Sequence, residues 1–221
     1  MNIVQATIGY GNLQSILNSH LKHIESIIRK SSEALEGNCF YDHATLNLIG
    51  GLQPKQENLF WAGGRVQERV CEIGFNAGHS CLLMLLGKSV ESFDFTIFDD
   101  GSHKYMLPAF EYVKSQFPSI QFEMIVGDST TEMPKWIEKN ADLCGTYDVV
   151  HVDGGHSDHC IRNDMINATK LVKIGGIVIV DDTQMSDING YVDKYLQTGK
   201  FSEVDVLPTC VYTHRIIQRI E

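Results

Sequence analysis

The chain of 221 residues lacks several things that would settle its class at once. No apolar stretch reaches the roughly eighteen residues that a membrane-crossing helix needs. No signal-peptide or lipidation pattern is present, so the expectation is a soluble, cytoplasmic protein with no membrane partner. Six cysteines (39, 71, 81, 144, 160, 210) never fall into Cys-x-x-Cys spacing, which argues against zinc and fits a reducing compartment. Lys and Arg nowhere cluster: 18 basic residues stand against 28 acidic ones, for a formal charge of −10. Nucleic-acid backbones are gripped by basic patches, so no nucleic-acid partner is expected. There is no internal repeat, coiled coil or low-complexity tract. What remains is a chain of 43% hydrophobic content that can bury one substantial core.

The densest information lies between Arg69 and Ser80. Val70, Cys71 and Ile73 read as a short buried strand, Gly74 and Gly78 allow close backbone approach, and the apolar run Cys81 to Leu86 continues as a helix facing the loop with its N-terminus. The spacing is Glu-x-Gly-x-x-x-Gly with Asn at 76, not the Gly-x-Gly-x-x-Gly that seats a dinucleotide pyrophosphate. Four more apolar runs follow, and each ends in an acid: Phe95 to Phe98 in Asp99, Phe122 to Val126 in Gly127-Asp128-Ser129, Tyr147 to Val152 in Asp153, and Gly176 to Val180 in Asp181-Asp182. In an open parallel sheet the carboxyl ends of the strands form the ligand crevice, so these acids converge on one rim.

Helical stretches at about 104–116, 130–140, 158–172 and 186–198 separate the strands, which predicts right-handed crossovers. Near the end, 202–207 and 211–219 are separated by three residues only and are expected to form a hairpin. The fold class is therefore α/β, a doubly wound, Rossmann-like seven-stranded sheet, mostly parallel with an antiparallel C-terminal hairpin strand. Before it, apolar residues at three- and four-residue steps from Leu13 to Ile28 predict an amphipathic helix over 12–32. Gly50-Gly51 and Pro54 are read as a loop. Residues 1–62 form a helical lid or cap, with Gln56, Glu57 and Trp61 as candidates for choosing a substrate, and 63–221 form the main domain. The apolar helix face packs on its own domain or serves as a homo-oligomer contact.

From Val70 to about Thr183 the chain resembles the class I S-adenosylmethionine-dependent methyltransferases, and within them the macrocin and mycinamicin sugar O-methyltransferases. The resemblance rests on Glu-Ile-Gly-Phe-Asn-Ala-Gly-His-Ser (72–80), Phe-Asp-Asp-Gly-Ser-His-Lys-Tyr (98–105), Val-Gly-Asp-Ser-Thr (126–130), Val-Asp-Gly-Gly-His-Ser (152–157) and Val-Asp-Asp (180–182). It implies that Glu72, Gly74, Phe75, Asn76, Gly78 and Ser80 surround the methionine portion of the cofactor, Asp99 the ribose, and Asp128 with Ser129 the adenine. It further implies Asp153, Asp181 and Asp182 as ligands of Mg²⁺ and His156 as general base, with Asp153 shared between metal binding and catalysis. Two departures stand out. Ile174 replaces the proline of the usual Lys-Pro-Gly-Gly turn, and Asp100 follows Asp99 where an apolar residue is usual, leaving open which of the two binds ribose.

Chemistry alone agrees with this reading. Three carboxylates make a hard oxygen site suited to Mg²⁺, a metal-bound hydroxyl loses its proton more readily, and an imidazole can accept that proton near neutral pH. The absence of Asn-Pro-Pro-Tyr or Asp-Pro-Pro-Tyr after the fourth strand disfavours base N-methylation. The expected reaction is O-methylation of a small hydroxylated substrate, a sugar or a catechol-like ring. Two alternatives stay open: a cofactor-binding interaction protein without catalysis, and another metal-dependent enzyme on the same scaffold, as in cephalosporin hydroxylases with similar Asp-Gly-Gly-His sequences. Of the other histidines, His151 falls inside the fourth strand and reads as a core residue and His159 as a surface one. His103 and Tyr105 are candidates for the pocket wall. His20, His23, His43 and His214 have no evident chemical partner in the sequence.

Overall fold

The computed structural model describes residues 1–36, 39–42 and 45–221, so His43 lies outside the described residues. Helices α1 (Ile3–Asn12), α2 (Gln14–Ser31) and α3 (Gln53–Gly63) come first. Then strands and helices alternate: β1 (Arg69–Ile73), α4 (His79–Gly87), β2 (Asp94–Asp99), α5 (Met106–Gln116), β3 (Gln121–Val126), α6 (Ser129–Lys139), β4 (Tyr147–Val152), α7 (Asp158–Leu171), β5 (Val172–Val180) and α8 (Ser186–Gln197). β6 (Phe201–Glu203) and β7 (Arg215–Arg219) close the chain's sheet.

The seven strands lie in the order β3-β2-β1-β4-β5-β7-β6. Pairings among β1 to β5 are parallel, and β7 runs antiparallel between β5 and β6. This is the expected Rossmann-like sheet. Alternate residues of the strands feed two cores, as the two-residue period of a strand requires. Val149, Ile177 and Ile179 face α1 to α5, whereas Val150, Val178 and Val180 face α6, α7 and α8. The strand order reverses between β1 and β4, and their carboxyl ends open a crevice there. The Asp153 N–H donates to the Ile73 carbonyl (2.9 Å) across that seam. Gly74 has φ +90°, and a Cβ at this position would fall 2.0 Å from the Asp153 carbonyl oxygen, so only glycine lets the two loops meet.

Three segments differ from the sequence reading. A separate α1 precedes α2; its Asn2-x-x-Gln5 capping box closes the N-terminus, while Gly9 packs on the Phe60 ring, which a Cβ there would meet at 3.3 Å. The Gly-Pro stretch taken for a loop runs into α3, with Pro54 in its first turn, a position where proline costs no hydrogen bond. Periodicity could not find α3 because every residue from Lys55 to Gly63 is buried, the polar ones included. Asn58 is one of these: its amide donates to the Leu207 carbonyl (2.8 Å) and accepts from the Leu207 N–H (3.0 Å). The closing hairpin forms, but its strands are shorter than expected and a long loop, 204–214, joins them.

Residues Ala6, Leu17, Ile24, Leu59 and Phe60 share one core with Val70, Phe95 and Ile97, so the N-terminal helices and the sheet are packed as one body. The apolar face of α2, Leu17, Leu21, Ile24 and Ile28, is buried within the chain. His20 bonds the Tyr112 hydroxyl (2.9 Å) and His23 stacks on the same ring, which fixes α2 against α5.

Candidate active site

A cleft of about 490 Å³ opens over the carboxyl ends of β1 to β5. Gly74 to Asn76 form one wall, Asp99 and Asp100 the next, then Gly127 to Ser129, Asp153 to His156 and Asp182. All five strand ends therefore contribute to it, four of them with an acid. A second cavity of about 440 Å³ lies between α7 and α8, lined by Arg162, Tyr191 and Lys194 among others, and touches none of these strand ends.

The glycine loop is held open by Asp99. One oxygen of its carboxylate, Oδ2, accepts from the N–H groups of Phe75 (2.9 Å) and Asn76 (2.8 Å), and Oδ1 accepts from Gly101 N–H (2.9 Å). Asp100 instead accepts from its own turn, at Ser102 N–H (2.8 Å), and is exposed. Of the two candidate ribose acids, Asp99 is the one that faces the glycine loop. Asn76 and Gly78 both take left-handed backbone conformations, and Asn76 hands its side-chain amide to the Glu36 carbonyl, which holds Glu36 at the cleft. The Phe75 ring is buried against Phe110 and under Gly78, so its backbone, not its ring, borders open space.

Glu72 is fully buried beneath the loop. Its Oε1 accepts from Ser80 Oγ (2.5 Å) and bonds His151 Nδ1 (3.0 Å), while Oε2 has no partner among the described residues. Ser80 reaches the cleft; Glu72 supports it from behind. Asp128 caps α6, accepting from Thr130 N–H (2.8 Å) and Oγ1 (2.7 Å), bonds that hold its carboxyl below the usual range. Ser129 Oγ donates to Asp164 (2.7 Å). Burial pushes the Asp164 carboxyl up to about 6.

The acids expected to hold a metal do not all point the same way. Asp181 is buried, its Oδ2 paired with Lys55 Nζ at 2.6 Å and its Oδ1 accepting from Asp182 N–H (2.9 Å). Asp182 adopts φ 54°, which turns its carboxylate into the cleft, where His156 Nε2 sits at 2.8 Å. Ligand atoms of Asp153, His156 and Asp182 lie within 4.8 Å of one another. A second cluster, Asp153, Asp181 and His151, backs onto the first through Asp153. Burial, then the neighbouring Asp181, drives the Asp153 carboxyl well above its ordinary value. A hard cation at the Asp153 and Asp182 oxygens would relieve that like-charge strain, so the donor set fits Mg²⁺ there. The hydrogen bond to Asp182 raises the His156 pKa, making its imidazole a better proton acceptor.

Several functional candidates had no sequence signal. Lys55 is a polar residue in a segment read as loop. His79, first residue of α4, borders the cleft with neither ring nitrogen bonded among the described residues; burial lowers its pKa to about 3, so the ring is neutral. Of the residues proposed earlier as substrate selectors, Gln56 bonds Tyr10 (2.5 Å) and the Cys39 carbonyl (2.7 Å), Glu57 accepts from Gln53 (2.6 Å) and Trp61 is buried. None borders the cleft. His103 does, while Tyr105 stacks behind it and is buried. His151 is a hydrogen-bonded strand residue, as expected, and His159 is exposed on the first turn of α7. His214 pairs with the buried Asn58 amide (2.9 Å). No helix among the described residues is long and apolar enough to cross a membrane.

Residues 71–183 match a family model described as a methyltransferase domain. No curated protein matches the chain. Among solved structures, an O-methyltransferase from Bacillus cereus in complex with SAH is 15% identical with a TM-score of 0.64, all of both chains being covered. The O-methyltransferase TomG from Streptomyces achromogenes, in complex with SAM, is 14% identical with a TM-score of 0.53 over 75% of this chain and 79% of that one. A putative caffeoyl-CoA O-methyltransferase from Staphylococcus aureus is 13% identical with a TM-score of 0.57, covering 94% and 99%. At such identities the likeness is one of fold.

Proposed function

The chain belongs to the methyltransferase-domain family and is an S-adenosylmethionine-dependent methyltransferase; from that premise we propose that it methylates a hydroxyl oxygen of a small acceptor, a sugar or a catechol-like ring, with help from Mg²⁺. The observation that carries this reading is the meeting of Asp153, His156 and Asp182 on the same rim as the glycine loop. The Asp153-Gly154-Gly155-His156 sequence supports a place beside the macrocin and mycinamicin sugar O-methyltransferases.

S-adenosylmethionine supplies a methyl group made electrophilic by its sulfonium. Gly74 to Asn76 offer backbone to the methionine portion, Asp99 borders the ribose position, and Asp128 with Ser129 the adenine position. Asp153 and Asp182 are the carboxylates that would hold Mg²⁺, whose charge would lower the pKa of an acceptor hydroxyl. His156 takes the hydroxyl proton as the oxygen bonds to the methyl carbon and the carbon–sulfur bond breaks with its electron pair on sulfur. Asp182 holds the imidazole in place and stabilises it once protonated. The three named relatives, each described as an O-methyltransferase, give the oxygen acceptor further support.

The test is calorimetric titration with S-adenosylmethionine and S-adenosylhomocysteine, each with Mg²⁺ and with chelator, followed by labelled methyl transfer to a panel of hydroxylated acceptors. Binding of both cofactor forms with transfer to hydroxyls confirms the reading. Tight cofactor binding without metal affinity or turnover points to a non-catalytic interaction protein instead.

A further inference from the structure

Lys55 stands where the charge balance of this site is decided. Its ammonium is 2.6 Å from Asp181 Oδ2, and both side chains are almost completely buried, at 4% and 2% exposure. Burial works against the ammonium, and the Asp181 carboxylate in contact with it offsets that cost. Both Asp181 oxygens are engaged: Oδ1 accepts the Asp182 amide and Oδ2 holds the lysine. The acid does not reach the cleft, whereas Asp153 and Asp182 do. A side chain from the N-terminal helices thus neutralises one of three adjacent carboxylates from behind the sheet edge.

We propose that Lys55 is a resident cation that sets the metal affinity of the site: by pairing with Asp181 it leaves a divalent ion only Asp153 and Asp182, and its own charge holds that affinity down. Lys55 is a positioning residue in this scheme, since it touches neither the cleft nor a reacting atom. The inference rests on the metal-assisted reading above. Opposite and like charges a few ångströms away in a partly buried site change cation affinity by an order of magnitude or more.

The experiment uses the full chain and Mn²⁺ alone, with free Mn²⁺ followed by its electron spin resonance signal, on wild type, Lys55→Arg, Lys55→Met and the double variant Lys55→Met/Asp181→Asn. Lys55→Met is expected to bind Mn²⁺ at least about tenfold more tightly than wild type, and Lys55→Arg to match wild type. The double variant keeps the net charge and removes the buried pair whole, a change that proteins tolerate well, so it stays informative if Lys55→Met does not fold. Its Mn²⁺ affinity is expected within about threefold of wild type. Lys55→Met binding no tighter than wild type, a double variant weakened more than about tenfold, or no Mn²⁺ binding by any variant overturns the proposal. S-adenosylhomocysteine calorimetry on the same proteins separates the two readings. Loss of cofactor binding in wild type sinks the methyltransferase assignment whatever the metal titrations give.

Discussion

Replacing Asp99 with alanine tests the cofactor site at its most exposed assumption. The carboxylate accepts two N–H groups of the glycine loop on one oxygen and that of Gly101 on the other. Hydrogen bonds to an ionised acceptor contribute about 1.5–3 kcal/mol each. Asp99 is only partly buried, so water can serve part of what it leaves, and the low end of that range applies to the two loop bonds. The loop then loses about 3 kcal/mol of organisation, which at 1.4 kcal/mol per tenfold is a drop of about 10² in affinity for S-adenosylhomocysteine. Asp100→Ala removes only a bond within its own turn and should leave affinity within about threefold. Calorimetry on the two variants measures both numbers. An Asp99→Ala affinity within threefold of wild type, or an equal loss in Asp100→Ala, would refute the placement of Asp99 and the reasoning that led to it.

His156→Ala should lower kcat by about 10²–10⁴-fold with cofactor affinity nearly intact, as judged by steady-state kinetics beside calorimetry; full activity would remove the base assignment. Gly74→Ala should not yield a folded chain at physiological temperature, because its Cβ meets the Asp153 carbonyl at 2.0 Å and its φ is +90°; a wild-type melting curve would contradict the packing of that seam. Asp148 accepts from Gln67, Glu68 and Arg69 N–H (2.9, 2.6 and 3.0 Å) and pairs with Lys173. Burial raises its pKa, but the backbone bonds and Lys173 together outweigh that and bring it below the ordinary carboxylate value. The stabilisation is therefore full above the unfolded pKa, about 3.9, and disappears as pH falls through the lower folded value. Asp148→Ala should cost about 3–5 kcal/mol at pH 7 and flatten the acid limb of a melting-temperature profile; an unchanged limb would dismiss the acid's role.

The sheet was legible because each strand is a short apolar run closed by glycine or an acid, and the runs from Val70, Phe95, Phe122, Tyr147 and Gly176 all become parallel strands. The acid rim was legible for the same reason: strand ends in such a sheet share one edge. What periodicity could not see was α3, whose polar residues are buried with partners far along the chain. The division of labour between Asp181 and Asp182 was equally hidden. Neighbours at a strand end point to opposite sides, and which side held a lysine depended on a helix that the local pattern does not announce. His79 escaped notice because a histidine after a glycine turn looks like any helix start until its burial is known.

Asn58 binds the Leu207 backbone in both directions across a separation of 149 residues. Contacts of such long range form late, after the loop between them has been closed at an entropic cost. During synthesis α3 leaves the ribosome long before Leu207, and Lys55 of the same helix must wait for Asp181. This edge of the cleft therefore cannot be completed until residues 181 and 207 have been made, and until then the Lys55 ammonium is left to water. Binding of cofactor to a nascent chain should appear only once the C-terminal strands have been made.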